Sequence, residues 1–334
     1  MIVRAYAAMQ EKAALKPFEY ESGALLPCEV EVAITHCSIC HSDVHLVDND
    51  WGISTFPLVP GHEIIGTVCA IGSAVSQFKI GQRVGIGWQC NSCLTCDTCS
   101  HGDENLCSEA KGVAVAHHGG FAERVRSHAH FVVPIPDALA SEHAAPLLCA
   151  GITVYSPFRH YHVRPHMKVG VIGIGGLGHL ALQFAKAFGC EVTAFSSDSS
   201  KEKEAREFGA HHFVNSIHDD ALDPHKNTFD FMLSTVSASL NWEKYISLLR
   251  AHGTLCFVGV ANRIDIPVMS LIGGNKTVCG SLIGGPRMIK EMLEFAARHH
   301  IHAKTQLMPM DQANDALNLV RNNKARYRIV LKNT

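Results

Sequence analysis

What this chain of 334 residues lacks narrows its class first. It has no excess of charge of either sign: 29 Lys and Arg stand against 31 Asp and Glu, a net charge of −2. That argues against a dedicated nucleic-acid binder or a polybasic membrane-surface protein, both of which need a field of one sign. No apolar run is long enough to cross a bilayer. The opening stretch, MIVRAYAAMQEKAALKP, is broken by charges and lacks the apolar core of a signal peptide. Tandem repeats and low-complexity tracts are missing too. The expectation is a cytoplasmic protein with no membrane or nucleic-acid partner, long enough for two domains.

An extracellular disulfide framework is also missing. The 13 cysteines do not fall into evenly spaced pairs, and in a reducing compartment they read as metal ligands or small buried hydrophobes. Cys28, Cys37, Cys69, Cys190, Cys256 and Cys279 lie among small apolar residues and read as fillers. Cys93, Cys96, Cys99 and Cys107 differ, because the run CLTCDTCSHGDENLC spaces them as C-x2-C-x2-C-x7-C. Four thiolates so close together can wrap one tetrahedral zinc ion, and they leave no coordination position for a substrate. Such a site is structural, and Cys90, just upstream, is surplus to it.

To about Ala150 the chain runs in short β-like stretches punctuated by glycine, EVEVAI, EIIGTVCAIG, QRVGIGW and HFVVPIP, which predict a compact β-rich unit. From Gly151 the pattern changes. KVGVIGI, EVTAFSS, FDFMLSTV and GTLCFVGV read as strands alternating with the helical runs LGHLALQFAKAFG, KEKEAREFG and NWEKYISLLR. Strands alternating with helices predict an α/β, doubly wound parallel sheet. RMIKEMLEFAARHH then reads as an amphipathic helix with Met288, Ile289, Met292, Leu293 and Ala296 on one side, and RYRIVL as a last strand. The pattern does not say which domain these join.

Within VIGIGGLGH, Gly173, Gly175 and Gly178 form G-x-G-x-x-G directly after a strand and at the opening of a helix. There the glycines allow a tight turn, and Gly176 and Leu177 complete a backbone cradle for a pyrophosphate at the helix N-terminus. At the end of the next strand, where an acidic residue would bind the ribose of NAD, stand Ser196 and Ser197, then Asp198 and Lys201. Hydroxyls plus a cation suit a 2′-phosphate, so NADP(H) is favoured over NAD(H).

Cys40, His62 and Cys149 have the makings of a second metal site. Two thiolates and an imidazole leave the fourth tetrahedral position for water or a substrate oxygen. Taken with CSICHSDVH, NDWGISTFPLVPGHEIIGTV, PLLCAGITVYSP, GIGGLGHLALQFAKAFG and KARYRIVL, the chain resembles the zinc-dependent medium-chain alcohol dehydrogenases. Within that family it is most similar to the cinnamyl alcohol dehydrogenase-like group of NADP(H)-dependent aldehyde reductases.

The resemblance implies a GroES-like catalytic domain, 1–149 and 287–334, around a Rossmann domain, 150–286, in a homodimer. It implies catalytic zinc on Cys40, His62 and Cys149, with Glu63 as a transient ligand. It further implies a proton relay from Ser42 to His45, His41 at the cofactor phosphates, Thr153 near the nicotinamide, and Asp50 and Trp51 beside the substrate. The implied reaction interconverts primary alcohols and aldehydes. A polyol dehydrogenase using NAD(H) is one alternative, and a non-catalytic zinc and thiol redox sensor is the other. The compact KGVAVAHHGG segment departs from the family pattern, so the substrate pocket need not accept cinnamyl alcohols.

Overall fold

The alternation read in the N-terminal half pairs into sheets. In a computed structural model describing residues 1–261 and 263–333, β1 (Ile2–Ala7) and β2 (Lys16–Glu21) form an antiparallel ribbon. β3 (Glu29–Ile39) buries Val30, Val32 and Ile34 and turns Glu31 the other way. At Cys40 the backbone leaves the sheet and enters α1 (His41–Asp48), a helix that the β-rich reading did not anticipate. The chain continues through β4 (Glu63–Ile71), β5 (Arg83–Ile86), β6 (Gln89–Asn91), α2 (Asp97–His101), β7 (Lys111–Gly112), β8 (Arg124–His128), β9 (Val132–Pro134) and α3 (Ser141–Ala144).

After α4 (Ala150–His160) the alternation becomes strand and helix. β10 (Lys168–Ile172), α5 (Gly178–Ala187), β11 (Glu191–Ser196), α6 (Glu202–Glu207), β12 (His212–Asn215), β13 (Phe229–Ser234), α7 (Trp242–Leu248), β14 (Leu249–Phe257), α8 (Val268–Ile272) and β15 (Thr277–Gly280) follow in turn. The six strands are parallel in the order β12-β11-β10-β13-β14-β15, the doubly wound arrangement in which ligands bind beyond the carboxyl ends of the strands. The helix read as NWEKYISLLR stops early. Leu249 is buried and pairs with Phe229 of β13, so sheet pairing outweighs local helix propensity there.

The last segment adds α9 (Pro286–Arg298), β16 (Thr305–Pro309), α10 (Ala313–Arg321) and β17 (Arg328–Lys332). α9 buries Ile289, Met292, Leu293 and Ala296. β17 pairs antiparallel with β3, in a sheet ordered β16-β17-β3-β4-β5-β9 with β8 also on β3. Two compact units result, Met1–Ile152 with Gly284–Thr334, and Thr153–Ile283. No helix among the described residues is long and apolar enough to cross a membrane.

Of the six cysteines read as buried fillers, Cys37, Cys190 and Cys256 are buried, and Cys69 and Cys279 are half-buried. Cys28 is exposed, because it sits in the turn that precedes β3.

Candidate active site

β6 and β7 pair across Gln89 and Gly112, closing the base of the loop that carries the four-cysteine run. The sulfurs of Cys93, Cys96, Cys99 and Cys107 lie within 4.8 Å of one another. Cys93 is 3.9 Å from Cys99 and 3.6 Å from Cys107, close to the ~3.8 Å edge of a tetrahedron built on Zn–S bonds of about 2.3 Å. The backbone supports thiolates here. The amide of Cys96 donates to the Cys93 sulfur and that of Glu109 to the Cys107 sulfur, each at 3.3 Å. Amides of Thr95 and Cys96 hold the Cys93 thiol down at about 6. Cys90 stays outside the group, with its thiol on the carbonyl of Lys111 and pushed up to about 12 by burial.

A second group forms where β3, α1, β4 and the segment entering α4 converge. Ligand atoms of Cys40, His62, Glu63 and Cys149 lie within 4.8 Å of one another. Asp43, fully buried on α1, organises them. Its Oδ2 accepts the Cys40 amide at 2.9 Å, while its Oδ1 accepts the Gly61 amide at 2.9 Å and His62 Nδ1 at 2.8 Å. That contact fixes the imidazole tautomer and aims Nε2 at the sulfurs. Buried Nε2 has no hydrogen-bond partner of its own, an orphan that a metal ion would satisfy. The hydrogen bond from Cys149 holds the Cys40 thiol well below its ordinary range, against the push of burial. Two thiols, an orphaned imidazole nitrogen and a low-lying thiolate fit zinc.

Glu63 is engaged from the other side. Both of its oxygens meet Nη2 of buried Arg328 on β17, at 2.6 Å for Oε2. Burial pushes the Glu63 carboxyl up to about 6 against the pull of that guanidinium.

Around the donors, Ser42 Oγ lies 3.6 Å from the Cys40 sulfur. His45 Nδ1 meets Asp50 Oδ2 at 2.7 Å. The rings of His45 and Trp51 are 5.1 Å apart, Trp51 stands edge-on to Trp88 at 6.2 Å, and Trp88 edge-on to His62 at 4.9 Å. His41 is exposed at the start of α1.

The glycine loop is built in the second unit. Gly173 has a φ of +88°, and a Cβ on Gly178 would stand 1.9 Å from the Gly173 carbonyl oxygen, so turn geometry and close packing demand both glycines. A Cβ on Gly175 would meet nothing within 4 Å. The backbone is bare where an anion would approach, and no side chain caps the N-terminus of α5, so the loop fits a dinucleotide pyrophosphate. Gly176 and Leu177 lie between these positions.

Beyond β11, Ser196 is buried and its hydroxyl donates to the Asp198 carbonyl, while Ser197 is exposed. The Asp198 carboxylate accepts the Ser200 amide at 2.9 Å. Lys201 Nζ donates to the Ile174 carbonyl at 3.0 Å, which brings its charge onto the glycine loop. Thr153 is buried in α4.

Residues 27–137 match the alcohol dehydrogenase GroES-like domain and residues 176–298 the zinc-binding dehydrogenase domain. The aldehyde reductase AdhA of Synechocystis is 44% identical over 334 residues, covering 100% of this chain and 99% of that protein. A cinnamyl alcohol dehydrogenase of Sorghum bicolor superposes with a TM-score of 0.95 at 35% identity, covering 99% and 98% of the two chains. The CAD of Helicobacter pylori complexed with NADP(H) gives 0.92 at 32% identity, again covering 99% and 98%.

The chain belongs to the zinc-binding alcohol dehydrogenases. Three residues of this dehydrogenase that carry its site escaped the sequence reading: Asp43, Trp88 and Arg328. Asp43 lies 19 positions from its histidine and Arg328 lies 265 from Glu63, separations at which no local pattern marks a pair. A partial signal existed for Asp43, since an acid three residues into a helix suits its N-terminus. Thr235 was missed likewise; its hydroxyl donates to the carbonyls of Ile172 and Gly173, each at 3.0 Å, and so braces the glycine loop.

Proposed function

We propose that this dehydrogenase interconverts primary alcohols and aldehydes with NADP(H), mainly as a reductase of aromatic and aliphatic aldehydes in the cytoplasm. The observation that carries the reading is the orphaned Nε2 of His62, aimed at the sulfurs of Cys40 and Cys149. Three such donors leave one tetrahedral position for a substrate oxygen. Their zinc ion is catalytic, and that of Cys93, Cys96, Cys99 and Cys107 is structural.

Bound there, zinc supplies Lewis-acid polarisation of the substrate oxygen. The dinucleotide supplies the hydride. The protein does the rest. Asp43 holds His62 in the ligating tautomer, so the donor set is assembled before substrate arrives. Ser42 would hand a proton to the substrate oxygen, and His45, steadied by Asp50, would be the group that replenishes it. Trp51 and Trp88 wall the site and keep bulk water away. Glu63, drawn back by Arg328, is the reserve donor for zinc when substrate exchanges for water.

Gly173, Gly175, Gly176, Leu177 and Gly178 cradle the pyrophosphate. Ser197 and Lys201 face the 2′-phosphate, Lys201 by releasing the Ile174 carbonyl. His41 assists at the phosphates, and Thr153 lies beside the nicotinamide. A homodimer accords with the edge position of β15 and with the exposed Val268, Met269, Ile272 and Leu282 in its neighbouring segments.

The test is initial-rate kinetics of the zinc-loaded protein on a panel of aromatic and aliphatic aldehydes. The reading expects turnover with NADPH at a lower KM than with NADH. Binding of NADPH with no reduction of any aldehyde would leave a cofactor-binding sensor in its place.

A further inference from the structure

The glycine loop of the second unit is held by its carbonyls from the protein side. Thr235 donates to those of Ile172 and Gly173, and Lys201 to that of Ile174. The Gly175 carbonyl is taken by His179, a residue that no step above uses. It accepts the His179 amide at 3.1 Å, the ordinary bond of a first helical turn, and also His179 Nδ1 at 3.0 Å. A carbonyl oxygen has two lone pairs and no proton, so Nδ1 is the donor and the imidazole tautomer is fixed.

His179 is the second residue of α5 and is fully buried, with its ring edge-on to Phe208 at 5.3 Å. An apolar side chain would fill that space at less cost, because a buried imidazole needs a partner for its N–H. The partner it has is the carbonyl of the loop residue whose other side is open, since a Cβ on Gly175 would meet nothing within 4 Å.

The consequence lies across the peptide bond. In a planar trans peptide the C=O of one residue and the N–H of the next point in opposite directions. A Gly175 carbonyl held against His179 therefore turns the Gly176 amide outward at the N-terminus of α5, which no side chain caps. An amide fixed in that direction beforehand spares the ligand the cost of ordering it.

We propose that His179 is a positioning residue for the dinucleotide: its imidazole anchors the Gly175 carbonyl so that the Gly176 amide faces the pyrophosphate before the cofactor arrives. Its duty differs from that of Lys201. On the reading given above, Lys201 releases its carbonyl to meet the 2′-phosphate, which NADPH has and NADH lacks. His179 keeps its carbonyl, and the pyrophosphate is common to both cofactors. One side chain serves cofactor choice and the other serves affinity for either cofactor.

The test titrates the zinc-loaded, full-length protein calorimetrically with NADPH, NADH and adenosine 2′-monophosphate. His179→Phe keeps a ring and removes the donor, while His179→Asn keeps an N–H where Nδ1 stands. His179→Phe should weaken NADPH and NADH by the same factor, about tenfold, as for one hydrogen bond to a charged group. Adenosine 2′-monophosphate, which has no pyrophosphate, should bind as it does to the wild type. His179→Asn should restore both dinucleotides to near wild-type affinity. Wild-type affinity of His179→Phe for both dinucleotides overturns the proposal, and so does a loss confined to NADPH. An Asn variant as weak as the Phe variant would assign the loss to packing, and an equal loss of adenosine 2′-monophosphate would assign it to a damaged fold. Either result also removes the positioning role.

Discussion

At His62 the two ring nitrogens have separate duties, since Nδ1 is committed to Asp43 and buried Nε2 has no hydrogen-bond partner. Two substitutions separate them. Cys40→Ser should lose nearly all aldehyde turnover with an unchanged circular dichroism spectrum, because it removes a donor and leaves the fold alone. Asp43→Asn should keep some activity but weaken zinc about 10–100-fold, the usual cost of losing the partner that orients a ligand. Titration against a zinc chelator reads that loss, and wild-type zinc retention in the variant would count against the role of Asp43. The candidate donors stood out in the sequence through their residue types and the motifs around them, which the family resemblance singled out from 13 cysteines and 22 histidines. Their supporting residues did not, because a buried aspartate looks in sequence like any surface one.

Elements show a different limit. The glycine motif was legible because turn, approach and helix packing each demand the same residue type at set spacing. The structure divides those demands, and two variants should part accordingly. Gly175→Ala should fold with an unchanged Tm but raise the KM for NADPH by about tenfold or more, as for one lost hydrogen bond to a charged group. Gly178→Ala should destabilise the fold itself by about 1–3 kcal/mol, since its Cβ would meet the Gly173 carbonyl oxygen. Thermal melts and cofactor titrations on both variants check the pair.

β3 provides a pH-dependent case. Burial raises the Glu31 pKa, but Arg126 at 2.8 Å and Arg124 at 3.1 Å outweigh it, so the net shift is downward. A depressed folded pKa means the stabilisation is present above the ordinary carboxylate range and is lost as pH falls through the folded value. Glu31→Gln should therefore cost about 2 kcal/mol at pH 7 in urea unfolding, and the gap to wild type should close in acid. A constant gap would assign the effect to packing instead.

At the scale of the molecule, the two donor groups predict two zinc ions per chain. Atomic emission on the purified protein should return that count. Mild chelation should strip activity in proportion to the ion held by Cys40, His62 and Cys149, since four thiolates grip more firmly than three mixed donors. A count of one with full activity would remove the distinction between a structural and a catalytic site. The path of the chain matters here as well: β17 returns to β3 and carries Arg328 to Glu63, so the last strand of the protein buttresses a site whose donors lie in its first half.

By itself the sequence determined the parts whose information is local. These are the four-cysteine loop, the glycine turn, and the change from β-rich to alternating strand and helix, each encoded by spacing over short stretches. Tertiary structure alone decided the partners of those parts. It joined the last strand to the third, set Asp43 on His62, brought Arg328 to Glu63 and aligned Cys256 with Cys279. Those pairings follow from sheet register and burial, energies summed over the whole core, and no short stretch of chain contains that sum.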